Sequence, residues 1–131
     1  MKPKFFFDEI HEQNYWFCHS MKLEDLEKWI RNHYKISAEN FDLRDCYEAE
    51  GIAFSISNEK TGQYGIWIWL KDYKPGDAGW LSTLAHEAVH AAKMFMHDRG
   101  FDLNNRGDEP MAYLVGYLVK KCLEISKKRG R

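Results

Sequence analysis

The stretch WLSTLAHEAVHAAKMFM, residues 80–96, is a long and mostly apolar run, and the rest of the chain is arranged around it. Asp77 is a plausible N-cap before it, and Gly100 supplies a stop after it. At 100° per residue, His86 and His90 fall on the side of the helical wheel opposite the apolar arc. The apolar arc is formed by Leu81, Leu84, Ala85, Ala88, Val89, Ala92, Phe95 and Met96. The pattern predicts a helix from about Ala78 to Asp98 whose histidines face away from the core.

Within this run, His86-Glu87-Ala88-Val89-His90 is an HExxH motif. Residues four apart lie on one helical face, so both imidazoles can reach a single metal ion while Glu87 sits beside the open coordination position. A catalytic zinc site has three protein ligands and a water, so a third ligand must come from elsewhere. The motif predicts a hydrolytic site with one Zn²⁺ per chain, in which Glu87 handles protons.

A last helix is predicted after Asp108-Glu109, with Pro110 in its first turn, running to about Lys128. Glu109 and Tyr113 fall on its polar face together with Gly116. Glycine lowers helix propensity by about 1 kcal/mol relative to Ala, which predicts that a backbone or a substrate approaches Gly116 closely.

HExxH followed by 18 residues and a helix-borne Glu resembles the gluzincin pattern of zinc metallopeptidases. The resemblance covers about residues 78–126. It implies that His86, His90 and Glu109 ligate zinc and that Glu87 is the general base. It also implies a minimal zincin-like domain in which a strand beside the central helix, residues 64–70, pairs with an extended peptide substrate through its backbone edge.

The longer strings around the motif and around Asp108–Tyr117 also resemble small metallopeptidase-like proteins of phages and prophages. That resemblance implies a location in the host cytoplasm and leaves the target open. Gluzincins commonly carry Asn before the ligand Glu and Asp four residues after it, whereas this chain has Asp108 and Tyr113. Asp108 is the alternative third ligand.

Other ligand patterns fit less well. A metzincin needs Gly and His three and six residues after His90, and Lys93 and Met96 stand there. His97 shares the ligand face but lies seven residues, about 10 Å, along the axis from His90.

The tetrahedral oxyanion needs a donor besides zinc. Tyr113 is the first candidate, with Tyr117 and Arg106 as alternatives, and Tyr113 is equally well explained as a core-edge tyrosine.

The remaining chain predicts an α+β fold with a small antiparallel sheet packed on about three helices. Residues 21–34 form an amphipathic helix after Ser20, and residues 36–47 form an irregular connection. Residues 52–57 and 64–70 form a hairpin, and the aromatic runs at 5–7 and 15–18 are strands or loops. Trp67 and Trp69 share one strand face, which predicts cover by a helix or loops rather than a peptide-binding wall. We expect one domain over residues 1–131.

Composition restricts the functional classes. The chain has 19 basic and 20 acidic residues and a net charge of -1, so neither nucleic acid nor a membrane surface is an expected partner. A locally basic tail, residues 127–131, is explained by the helix dipole. Three cysteines without a CxxC pair, and no signal-like or membrane-spanning run, predict a protein of the cytoplasm.

Three functions remain open at this point. The first is a zinc hydrolase, most simply a peptidase with a peptide or protein substrate. The second is a metal-stabilised interaction protein that binds and modulates a partner without catalysis; exposure of Trp67, Trp69 and Trp80 as one patch would favour it. The third is a hydrolase of non-peptide amides. The oligomeric state is open.

Overall fold

The computed structural model describes residues 1–72, 74, 76–100 and 108–128, and this part of the chain forms an α+β fold. Its strands are β1 (Lys4–Asp8), β2 (Gln13–His19), β3 (Gly51–Asn58) and β4 (Gln63–Leu70). Its helices are α1 (Leu23–Tyr34), α2 (Ala78–Asp98) and α3 (Asp108–Lys128), and a short 3₁₀ turn spans Arg44–Cys46. The predicted α+β class and the predicted bounds of the central helix are confirmed, and α3 begins one residue earlier than expected.

The sheet of the described chain has the order β1-β2-β4-β3. The pairs β1–β2 and β3–β4 are antiparallel, but β2 and β4 run parallel, with Tyr15 beside Ile66 and Phe17 beside Ile68. The prediction of an antiparallel sheet was therefore wrong. Parallel neighbours need a crossover connection, and the segment containing α1 and β3 provides it. The two aromatic runs that could have been strands or loops form the β1–β2 hairpin.

Strand β4 lies inside the molecule and is buried on both faces. Ile66, Ile68 and Leu70 point to the face covered by α2 and α3. Trp67 and Trp69 point to the face covered by α1, where their indole N–H groups donate to Tyr34 Oη at 3.1 Å and to the Met21 carbonyl at 2.8 Å. The prediction that the two tryptophans are packed under a helix is confirmed.

Helix α2 packs on this sheet through one face and leaves the other face open. Asp77 caps it, because its carboxylate accepts a hydrogen bond from the Trp80 N–H at 2.8 Å. Gly100 follows its end with a φ of 75°, as its predicted role as a stop requires. The buried side chains of α2 are Trp80, Leu84, Glu87, Ala88, Ala91, Ala92, Phe95 and Met96. His86 and His90 are exposed, which confirms the predicted face.

The start of α1 differs from the prediction. Lys22 occupies the N-cap position, and Ser20 lies two residues earlier with a φ of 60°. The Ser20 N–H donates to the Leu70 carbonyl at 3.1 Å, so Ser20 belongs to the turn that leaves the sheet rather than to the helix cap.

The irregular connection after α1 is held down by the buried carboxylate of Glu27. Glu27 accepts hydrogen bonds from the Leu43 N–H and from Tyr47 Oη at 2.9 Å, and Arg31 pairs with it at 3.2 Å. A buried carboxylate with three donors offsets its own desolvation, so this one side chain fixes the cover over the Trp67 face of the sheet.

Several predicted features fall outside the described residues. They are Pro75 in the loop before α2, the connection 101–107 with Arg106, the side chain of Asp108, and the end of the basic tail at 129–131. Among the helices of the described chain, none combines the length and apolar character needed to cross a bilayer.

The cysteines provide a test of the two cores. Cys18 lies in the core beneath α1, where burial raises the pKa of its thiol to about 12, and burial also raises the pKa of the Cys122 thiol in the α2–α3 core. Because the thiolate is the reactive species, we expect Ellman's reagent at pH 8 to modify Cys46 alone in the native protein and all three cysteines in denaturant. Rapid native reaction at Cys18 or Cys122 would contradict the packing.

Candidate metal centre

The two histidines of the motif lie side by side on the exposed face of α2. Their Nε2 atoms are 3.1 Å apart, and their rings are 4.7 Å apart at 76°. Two nitrogens that bind one tetrahedral zinc at about 2.05 Å lie about 3.3 Å from each other, so the pair fits as two ligands of one ion. The same distance also suits a hydrogen bond between one protonated and one bare ring nitrogen.

Glu87 occupies the boundary between the histidines and the core. The residue is only 6% exposed, and its Oε1 lies 4.0 Å from His86 Nε2. Burial raises the pKa of this carboxyl, and the neighbouring His86 and His90 partly oppose the rise. A carboxylate held this way is a stronger base than an exposed one, which is the property that proton transfer from water requires.

Strand β3 approaches α2 closely at Gly51. A Cβ at this position would stand 2.8 Å from Thr83 Cγ2, 2.9 Å from Leu70 Cδ2 and 3.2 Å from Glu87 Cγ. The absence of a side chain at residue 51 therefore allows the start of β3 to lie against the turn of α2 that carries Glu87. The role of Gly51 cannot be predicted from the sequence, because a glycine ahead of an alternating strand reveals nothing about which helix the strand meets.

An open groove of about 390 Å³ adjoins His90. It lies between β3 and the second half of α2, and Ser55, Lys93, Met94, His97 and Asp98 complete its lining. Asp98 is engaged there as the acceptor of a hydrogen bond from Tyr64 Oη. The groove gives the histidine pair a neighbouring concave surface on which a bound molecule can rest.

The strand that was expected to pair with a peptide has no free backbone edge. Strand β4 is flanked by β2 and β3, so both of its backbone edges are occupied, and the expectation that residues 64–70 offer an edge was wrong. β3 ends the sheet on the side of α2, and its outer backbone edge faces no other strand of the described chain. Alternating hydrophobicity identifies a strand but cannot say which strand is outermost.

The third ligand is not assembled in the described part of the chain. Glu109 is exposed at the start of α3, and Tyr113 is 76% exposed. No group of three His, Cys, Asp or Glu side chains that could hold a metal is found among the described residues. The structure therefore brings together His86, Glu87 and His90 and leaves Glu109 and Tyr113 on the solvent face of α3. Their assigned roles stay predictions.

The close approach predicted at Gly116 is not observed. No heavy atom from elsewhere in the described chain lies within 4 Å of the place where a Cβ would stand. Helix α3 packs through the opposite face, where Leu114, Leu118 and Cys122 enter the core.

Comparison of the chain with models of protein families, with curated proteins and with solved structures gives no match.

The two glycines provide a matched test of the approach between β3 and α2. Gly51→Ala should lower the free energy of unfolding by about 1–3 kcal/mol, because the new methyl overpacks against Thr83 and Leu70. Gly116→Ala should raise it by about 0.5–1 kcal/mol, since an exposed helical site gains only propensity. Urea unfolding followed by circular dichroism measures both. Equal effects of the two substitutions would contradict the close contact at Gly51.

Proposed function

We propose that this protein is a zinc-dependent hydrolase that cleaves a peptide or related amide bond in the cytoplasm. The observation that supports the proposal most is the arrangement on α2. Two exposed imidazoles have their Nε2 atoms 3.1 Å apart, and a carboxylate at the core boundary lies within 4.0 Å of one of them. The proposal therefore has two candidate metal ligands beside a carboxyl group of raised pKa.

His86 and His90 would hold the ion, and Glu109 is the proposed third protein ligand, with Asp108 as the alternative. Zinc bound by such ligands lowers the pKa of a coordinated water towards about 7 and polarises a substrate carbonyl. Imidazole and carboxylate ligands at a hydrolytic site favour zinc over softer or larger metals.

The role of Glu87 follows from its position. Because it is buried beside the histidines, it can accept a proton from the attacking water without competing for the ion from the solvent side. The same carboxyl group can then pass the proton to the leaving amine, which must be protonated to depart. Tyr113 is the proposed donor to the oxyanion.

The outer edge of β3 is the proposed binding site for the substrate backbone. Extended peptides add to exposed sheet edges through main-chain hydrogen bonds, and β3 brings such an edge close to the turn of α2 that carries Glu87. The groove at Ser55 and His90 would then take one side chain of the bound peptide.

A purely binding role is less well supported. An interaction surface built from the tryptophans would need them exposed, and Trp67, Trp69 and Trp80 are all buried. A site used only for stability also has no use for a base, yet a carboxylate is kept at the core boundary beside the histidine pair.

Metal analysis tests the ligands. We expect purified protein to hold about one equivalent of zinc, and His86→Ala, His90→Ala and Glu109→Ala each to lose it. His97→Ala is the matched control, because it removes an exposed histidine of the same helix and should leave the metal in place. Loss of zinc in Asp108→Ala with retention in Glu109→Ala would identify Asp108 as the third ligand in place of Glu109. Full zinc content in both His86→Ala and His90→Ala would reject the site.

Peptide hydrolysis tests the base. Glu87→Gln should keep zinc but lower the cleavage rate of a degenerate fluorogenic peptide library by about 10²–10⁴-fold, since the amide cannot accept the proton. Glu24→Gln, on the exposed face of α1, should cleave at the wild-type rate. Equal rates for wild type and Glu87→Gln, with zinc bound in both, would contradict the proposed mechanism.

A further inference from the structure

The sheet ends in an exposed aromatic strand on the side away from β3. Phe5 and Phe7 of β1 are 50% and 45% exposed, and Ile10 in the following turn is 85% exposed. Phe6 points to the opposite face and is buried against Tyr15. An outermost strand with two open phenyl rings is a surface that proteins normally cover.

The exposure has a structural cause. Helix α1 covers the sheet over β2 and β4, where Cys18, Trp67 and Trp69 lie in its core. Phe5 contacts Trp16 edge-on at 5.3 Å, yet half of its surface stays open. The face of β1 on the α1 side is therefore left uncovered by the described chain.

The sequence of β1 is complementary to itself. In Lys4-Phe5-Phe6-Phe7-Asp8, a two-fold axis through Phe6 places Lys4 of one strand opposite Asp8 of an antiparallel copy and Phe5 opposite Phe7. The charges around the strand follow the same pattern. Exposed Lys2 and Lys4 lie at one end and exposed Glu9 lies at the other, whereas Asp8 is buried and its carboxylate is held by His11 Nδ1 at 2.6 Å.

We propose that β1 is the interface of a homodimer, in which two copies of the strand pair antiparallel about Phe6 and join their sheets into one. A two-fold interface needs a surface that complements itself, and β1 meets this condition in its exposed aromatic side chains and in the exposed charges of Lys4 and Glu9 at its two ends. The outer backbone edge of β1 faces no other strand of the described chain, so the N–H and C=O groups that point away from β2 are available for the ladder.

Pairing of the two β1 strands would cover the open face of β1 on the α1 side. Directly opposite residues of an antiparallel pair point to the same face, so Phe5 and Phe7 of both copies would meet on the α1 side, with Trp16 at the margin. Phe6 of each copy would meet on the other side. Because β3 is at the far end of the sheet order, both candidate metal centres would remain open.

Mass measurement tests the dimer. Sedimentation equilibrium of the full chain, tagged only at its C-terminus because the Met1 amino group donates to the His19 carbonyl, should give twice the 15.6 kDa chain mass. Phe7→Arg and Lys4→Glu should each raise the dimer dissociation constant by at least about tenfold, whereas Lys60→Glu in the β3–β4 turn should not. A monomeric wild-type protein at micromolar concentration would overturn the proposal.

Disulfide trapping tests the register. In a Cys46→Ser background, an equimolar mixture of Phe5→Cys and Phe7→Cys should form an interchain disulfide under mild oxidation, because these positions face each other. Each variant alone should cross-link at most one tenth as fast, since its own cysteines would sit diagonally, at about 7–8 Å. Equal cross-linking of the mixture and the separate variants would reject pairing about Phe6, as would cross-linking in none of them while the wild type is dimeric.

Discussion

The packing of α2 on β4 is the interaction on which the rest of the structure depends. Ala88, Ala91 and Ala92 of the helix lie in one buried cluster with Ile66 and Ile68 of the strand, and small side chains of this kind let a helix pack closely. Each large apolar side chain that is fully buried in this layer contributes about 1.5–3 kcal/mol. The rotation of α2 about its axis is thereby fixed, because turning it would expose this face. The histidines point outward as a consequence of the core, before any ligand is considered.

What the sequence could predict follows from periodicity. The 3.6-residue pattern around residues 80–96 was enough to give the bounds of α2, its cap at Asp77 and the outward position of His86 and His90, because all of these are local. The alternation at residues 64–70 was enough to give a strand buried on both faces, with Trp67 and Trp69 under cover.

The relations between strands could not be predicted in the same way. Nothing in residues 13–19 indicates that they pair with residues 63–70 in parallel, since that pairing depends on how α1 crosses the sheet. For the same reason the sequence alone places a free edge on β4, whereas the outer strands are β1 and β3. The contact at Gly51 depends on this order as well. The contribution of β3 to the candidate site therefore could not be predicted from the sequence and is seen only in the structure.

Burial of Glu87 costs stability, but the proposed reaction needs its carboxyl group at this position. A neutral side chain at this boundary would avoid the desolvation that raises the pKa of the Glu87 carboxyl. His86 and His90 offset part of the rise, and a cation held between them would offset more. Metal binding would therefore offset the desolvation cost of the Glu87 carboxylate, the same group that is proposed as the base.

Helix α3 is held by the core along most of its length but not in its first turn. Leu114, Leu118 and Cys122 bind the helix to the core from its second turn onward. Its first turn is held less firmly, since Glu109 and Pro110 are exposed and Met111 is only partly buried. Reorienting this turn would cost few buried contacts, whereas moving His86 or His90 would disturb the packing on β4. If Glu109 completes the site, the adjustment falls on α3, and metal binding is linked to the order of its first turn.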